Sequence, residues 1–370
     1  LVLKSNLPLN QVLQRQAPRS ICILRLSALG DVCNCLPAIR ALQRQWPDCR
    51  ITWIIGKVEK QLLLGLEGVE LIAYDKKTGL KGIFELRRQL AGRKFDVLLH
   101  MQAALRASLV SLAVKADLRF GFDKERAKDY QYLFTNRKIA AHPKAHVLEG
   151  FMDFIEALGV SRPALTGDEL TWNMPIPDES RTEALSVAPN RPFMLISPCS
   201  SQRARNFRNW SPEGYAGLMD YAYDRYGLHS VLSGGNTELE RAYGRQIQGL
   251  CRSSPINLIG ETSLKTLLAL VEQAHLVVAP DSGPMHMATA TGTPALGLYA
   301  SSNPDRTGPY LSRQWVVNRY PDQVQKHLGA AVDKVSWGKR VRDPQVMLSI
   351  TVEEVFNMLD QLINDNPVVS

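Results

Sequence analysis

Two short strings place residues at spacings suited to chemistry on an anionic substrate. The first, Asp281-Ser282-Gly283-Pro284-Met285-His286-Met287-Ala288, follows an apolar run at 275–279. Gly283 followed by Pro284 reads as a turn into a helix with proline at its first position. The amides of Ser282, Gly283 and their neighbours then point at one spot, an anion site strengthened by the helix dipole. Asp281 and His286 flank that spot. Each has a plain reading, Asp281 as a cap and His286 as a packed first-turn histidine. The compact string of acid, hydroxyl, glycine, proline and histidine at a strand's carboxyl end is harder to explain by packing alone. The second string is Ser27-Ala28-Leu29-Gly30-Asp31-Val32, after the run at 20–26. Gly30 permits a tight turn and Asp31 falls at a helix start. A helix cap accounts for Asp31 by itself. The competing reading is a general base that takes a proton from a substrate hydroxyl.

Two further loops suit a nucleotide. Ser197-Pro198-Cys199-Ser200-Ser201 leads into Arg203, Arg205 and Arg208, hydroxyls and guanidiniums fit for a diphosphate or for a solvated basic loop. Ser233-Gly234-Gly235-Asn236-Thr237-Glu238 puts a carboxylate where a ribose diol is held, or is an ordinary glycine-rich turn. Absences narrow the class. The sequence has no G-x-G dinucleotide fingerprint, no P-loop, no D-x-D pair and no H-E-x-x-H or C-x-x-C metal spacing. His142 and His146, with Glu149 nearby, have zinc-like spacing, but a lone pair in a basic loop is more often incidental. No bound metal or cofactor is expected.

These loops need strands to carry them. Apolar runs at 20–26, 50–55, 69–74 and 95–100 alternate with helical patterns at 31–46, 57–66, 80–92 and 102–115. Runs at 193–198, 229–233, 255–259, 275–279 and 295–299 alternate with helices at 211–226, 237–251, 263–273 and 284–291. Short, nearly continuous apolar strands separated by amphipathic helices predict parallel sheets covered on both faces. Prolines 175, 177, 189 and 192 make 171–192 read as a linker, and an amphipathic helix is expected at 351–364. The result is an α/β chain of two doubly wound domains facing a cleft, at 19–175 and 190–345, with a C-terminal helix and tail at 346–370. Residues 1–18 read as an extension or a cap on the first domain.

The 370 residues carry 44 Lys and Arg against 36 Asp and Glu, a formal charge of +8 that favours anionic partners. The basic residues lack interleaved aromatics and any recognised binding motif, so nucleic acid is not expected. Six scattered cysteines read as buried thiols of a reducing compartment. No signal-peptide pattern and no apolar run of about 18 residues occurs. A soluble, cytoplasmic protein is expected, with peripheral contact to an anionic membrane left open.

The chain resembles the lipopolysaccharide heptosyltransferases of glycosyltransferase family 9 over nearly all of residues 20–310. The resemblance rests on Leu24-Arg25-Leu26-Ser27-Ala28-Leu29-Gly30-Asp31-Val32 with Leu36-Pro37-Ala38, and on Asp281-Ser282-Gly283-Pro284-Met285-His286 with Ala288. It implies a two-domain GT-B fold of Rossmann-like domains and inverting, metal-independent transfer of heptose from ADP-L-glycero-D-manno-heptose. The implied acceptor is the lipopolysaccharide inner core, Kdo-lipid A or the first heptose. Asp31 is then the general base, Ser200, Ser201 and Arg208 meet the diphosphate, and Glu238 meets the ribose. Thr262 lies near the adenine, while Asp281, Ser282, Gly283 and His286 line the diphosphate and sugar. Arg119, Lys124, Arg126, Arg137 and Lys138 are candidates for the anionic acceptor or a membrane surface. Asn136-Arg137-Lys138 and the helix from His146 resemble the enzyme adding the first heptose more than that adding the second. The alternatives are a transferase using another nucleotide-sugar or a later core acceptor, and a nucleotide-sugar-binding protein without turnover. The basic segment 321–345 looks expanded and receives no role.

Overall fold

The computed structural model describes residues 16–164, 169–200 and 207–368. The chain divides into two compact units, Leu1–Pro175 and Ile176–Ser370. The expected N-terminal extension lies largely outside the described residues.

In the first unit six strands form one sheet: β1 (Ser20–Leu24), β2 (Arg50–Gly56), β3 (Val69–Tyr74), β4 (Phe95–His100), β5 (Ala116–Gly121) and β6 (Arg137–Lys138). Their order is β3-β2-β1-β4-β5-β6, and every pairing is parallel. Helices α1 (Leu29–Gln45), α2 (Lys57–Leu63), α3 (Gly79–Gln89) and α4 (Leu105–Ser111) follow the first four strands, and α5 (Val147–Ala157) packs on α1. The central strand β1 is buried along its whole length, which is why it reads as an unbroken apolar run.

The second unit repeats this plan. Its strands are β7 (Phe193–Ile196), β8 (His229–Leu232), β9 (Ile256–Asn257), β10 (Leu276–Pro280), β11 (Ala295–Tyr299) and β12 (Val316–Asn318). The order β12-β11-β10-β7-β8-β9 is again wholly parallel. Counted from its own first strand, each sheet has the Rossmann order 3-2-1-4-5-6. The helices are α6 (Asp178–Val187), α7 (Pro212–Tyr226), α8 (Glu238–Leu250), α9 (Leu264–Gln273), α10 (Gly283–Thr291), α11 (Pro304–Thr307), α12 (Tyr320–Leu328) and α13 (Val352–Asp365). Ser211, Thr237 and Ser263 cap α7, α8 and α9 through their hydroxyls, so three helix starts are set by local sequence.

Two expectations change. The segment expected as a linker contains α6, which packs on α9. Arg181 pairs with Glu272 at 2.8 Å, and the Thr266 hydroxyl donates to Glu183 at 2.6 Å. Pro177 starts this helix, as its N-cap, and Pro189 and Pro192 follow its end at Val187. The C-terminal helix is part of the second unit: Phe356 of α13 stacks on Tyr221 at 4.1 Å, and Asp360 accepts from Tyr221 and Tyr226. In the first unit, the His146 ring caps α5 and His142 Nδ1 pairs with Asp153 at 3.0 Å.

Candidate active site

In a sheet of this order the loops that diverge at the reversal open a crevice at the carboxyl ends of the strands. In the second unit that point lies between β7 and β10, which are neighbours in the sheet. The loop after β7 brings Ser200, whose amide and hydroxyl both donate to Asn209 Oδ1 at 2.9 and 3.1 Å. Ser201, Arg203 and Arg205 lie outside the described residues. After β10, Ser282 is the extended N-cap of α10, Gly283 its first residue and Pro284 its second, one place later than expected. Pro284 lacks an amide hydrogen, and the remaining first-turn amides have no acceptor within the helix. The Ser282 hydroxyl makes no cap bond; it is buried and without a partner among the described residues. An anion at this helix start would satisfy both.

Asp281 does not cap. It is 6% exposed and takes Arg208 Nη1 on its carboxylate at 2.9 Å and on its carbonyl at 2.5 Å. Arg340 Nη2 stands 3.5 Å from the same carboxylate. Burial alone would push this carboxyl up; Arg208, Arg340, His286 and the Ser302 hydroxyl outweigh it and hold it below the usual carboxylate range. Asp281 therefore stays an anion, and it fixes Arg208 beside the helix start. Further along the same edge, Glu238 begins α8 after β8, exposed and paired with Arg245 at 2.6 Å. Thr262 lies in the turn between β9 and α9, half-buried. The sheet order thus spaces Asp281, Ser200, Glu238 and Thr262 successively along one row of strand ends.

The equivalent crevice of the first unit lies between β1 and β4. Ala28 is the N-cap of α1 and Asp31 its third residue, so Gly30 sits inside the helix rather than in a turn. Asp31 Oδ2 accepts from the Ala28 amide at 3.1 Å and forms an ion pair with Arg25 Nη2. Its side chain is 30% exposed against 12% for Arg25, so the acid is the more open of the two. Arg25 is itself fixed, donating to the Met101 carbonyl at 2.7 Å and lying over the Phe151 ring. The Leu26 amide donates to Gln102 Oε1 at 2.7 Å, tying the loops after β1 and β4 together. Arg25 and Gln102 escaped sequence reasoning as site-builders because the contacts that fix them, Arg25 with Met101 and Phe151 and Gln102 with Leu26, join residues distant in sequence. Burial pushes the Cys33 and Cys35 thiols up to about 12, which removes them as nucleophiles at neutral pH.

The basic candidates divide into two kinds. Arg119 donates to the carbonyls of Phe134, Val114 and Ser111, and to the Ser111 hydroxyl, so it braces β5 rather than facing an acceptor. Arg126 is held by Asp123, by Asp153 at 2.6 Å and by the Ala140 carbonyl, again as a brace. Lys124, Arg137 and Lys138 are exposed. Lys124 and Lys138 line a pocket with Tyr130, Gln131 and Tyr132, a surface fit for an anionic, ring-bearing ligand.

Sequence relatives place the chain in a family. The family model described as Glycosyltransferase family 9 (heptosyltransferase) matches residues 83–334. The lipopolysaccharide core heptosyltransferase OpsX of Haemophilus influenzae is 40% identical over 348 residues, covering 94% of this chain and 98% of OpsX. The chain belongs to glycosyltransferase family 9. It is accordingly a heptosyltransferase of lipopolysaccharide core biosynthesis. Solved structures share the fold. A family 9 glycosyltransferase from Veillonella parvula has a TM-score of 0.75 at 22% identity, covering 94% of this chain and 97% of that one. The E. coli heptosyltransferase WaaC with ADP has a TM-score of 0.70 at 19% identity, covering 94% and 99%. The family match takes in the whole row from Ser200 to Asp281, while Asp31 and Arg340 lie outside it.

Proposed function

We propose that the enzyme transfers heptose with inversion from ADP-L-glycero-D-manno-heptose to the inner core, either Kdo-lipid A or the first heptose, without a metal. The observation that carries this reading is the α10 helix start, with its unpaired Ser282 hydroxyl and with Arg208 fixed beside it by Asp281. Guanidinium and helix amides meet the diphosphate there, which is the work a divalent ion does in metal-dependent transferases. From that point Glu238 lies where the ribose would follow and Thr262 where the adenine would end, along the row of strand ends. The crystallised relative WaaC holds ADP, which supports adenine as the base.

Asp31 is the general base. It takes the proton of an acceptor hydroxyl as that oxygen attacks the anomeric carbon. The bond from that carbon to the diphosphate oxygen breaks on the opposite face, and ADP leaves with its charge met by Arg208 and the amides after Ser282. Lys124, Arg137 and Lys138 meet the anionic acceptor, and the same surface touches the cytoplasmic face of an anionic membrane. No helix among the described residues is long and apolar enough to cross a membrane.

The test offers ADP-heptose and a panel of deacylated core acceptors to the full chain, with and without EDTA, following ADP release and product structure. Transfer with inverted anomeric configuration and unchanged by EDTA is expected. Retained configuration, or a rate abolished by EDTA and restored by a divalent ion, overturns the mechanism.

A further inference from the structure

The segment around Trp337 to Val341 has no role beyond the contact of Arg340 with Asp281, yet it is fastened to the carboxyl edge of the second sheet. The Val341 amide donates to the Ser301 carbonyl at 2.9 Å, and the Ser301 hydroxyl returns a bond to the Val341 carbonyl at 2.9 Å. The Tyr320 hydroxyl donates to the Lys339 carbonyl at 2.8 Å, and Val341 is 1% exposed. Between this segment and the loops after β10 and β11 lies a small pocket lined by Asp281, Asn303, Arg306, Trp337, Lys339 and Arg340, among others. Arg306, Lys339 and Arg340 line it together with Asp281, whose carboxylate Arg208 already meets at 2.9 Å.

Asn303 supplies the decisive detail. It is 4% exposed, and its Oδ1 accepts from the Asp305 amide at 3.0 Å, which fixes the orientation of the amide group. Its Nδ2 is buried and has no partner among the described residues. A buried donor left unpaired is costly, and such a group marks a place where a ligand oxygen completes the structure. The pocket admits little more than one water-sized group, room for a single ligand oxygen but not for a sugar or a base.

We propose that this pocket is a second anion subsite of the donor site, in which Asn303 Nδ2 and Arg340 hold the β-phosphate of a nucleoside diphosphate. Arg340 is suited to the task. Its side chain is 40% exposed and stands 3.5 Å from Asp281, which keeps Arg208 at 2.9 Å as counter-charge when Arg340 meets a phosphate. The subsite rests on the nucleotide-sugar reading of the neighbouring α10 helix start, and it extends that reading to a segment beyond the family match.

Calorimetric titration of the full chain with ADP, AMP and inorganic phosphate tests it. Asn303→Asp keeps the oxygen that caps the Asp305 amide while exchanging the free donor for a carboxylate; Arg340→Gln removes the cation. Each is expected to weaken ADP about 10-fold and to leave AMP within about twofold, with Arg340→Lys recovering part of the loss. Unfolding midpoints close to that of the parent chain exclude a merely structural effect. ADP affinity unchanged in both variants, or ADP and AMP weakened alike, overturns the subsite. If the parent chain binds neither nucleotide, the nucleotide reading itself fails. The pocket then stands only if inorganic phosphate binds and Asn303→Asp abolishes that binding, and it falls if phosphate does not bind.

Discussion

The two units share a strand order and differ in what they do with the acid at its reversal. In the first, Asp31 stands at a helix start with its side chain 30% exposed and one arginine beside it. In the second, Asp281 is buried between Arg208 and Arg340 and held as an anion by them. The same fold thus leaves one carboxylate partly open to solvent and buries the other. An acid that must take up and release a proton needs access. An acid that must hold an arginine in place needs burial and a permanent charge.

The sharpest way to break this contrast is to neutralise each acid with its isosteric amide. Asp31→Asn should lower kcat about 1,000-fold, as expected when a general base is lost, while costing about 1 kcal/mol of stability from the helix-start bond and the ion pair. Steady-state kinetics beside urea unfolding reads both. A variant that keeps its rate removes Asp31 as the base. Asp281→Asn should do the opposite first. It leaves buried Arg208 without its counter-charge, and about 3–5 kcal/mol of stability should go, seen as a lower urea midpoint before any assay. If the midpoint does not move, the buried pair is not what organises the second site.

A smaller effect separates the units by pH. His100, at the end of β4, is buried, with Nε2 3.2 Å from the Ser108 hydroxyl and Nδ1 without a partner among the described residues. Burial, reinforced by Arg119, lowers its pKa to about 3. The folded form therefore refuses a proton that the unfolded chain accepts from pH 6.5 downward. Its contribution is whole above that value and falls by up to ~1.4 kcal/mol per pH unit as pH drops toward about 3. In His100→Gln the slope of unfolding free energy against pH should flatten across that window. A slope identical to the parent's would show that His100 takes no part in acid sensitivity.

The parts of this architecture legible in the sequence are those written locally. β1, β7 and β10 are buried throughout, so their apolar runs are unbroken. The strings beginning at Ser27 and at Asp281 were visible because a loop and the helix that follows it are neighbours in the chain. β6 spans two residues, too short for any pattern to register, whereas the equally short β9 lies inside the apolar run at 255–259. β5 carries Arg119 among apolar residues, and its charge suggested solvent although its donors feed internal carbonyls. The contacts of Arg340 with Asp281 and of Gln102 with the Leu26 amide join residues far apart in the chain, and only folding reveals them. Charge was readable; direction was not.

The fastening of Val341 to Ser301, and of the Trp210 indole to the Ile350 carbonyl at 3.0 Å, has a consequence for how the enzyme matures on the ribosome. Chains fold in order of synthesis. The crevice holding Asp31 is built from residues up to Phe151 and can close while more than half of the polypeptide is still unmade. The wall of the nucleotide side arrives with Arg340, and the helix that backs it, α13, runs to Asp365. A nascent chain therefore carries a finished acid long before it can hold a nucleotide, and competence for turnover is deferred until synthesis is nearly complete.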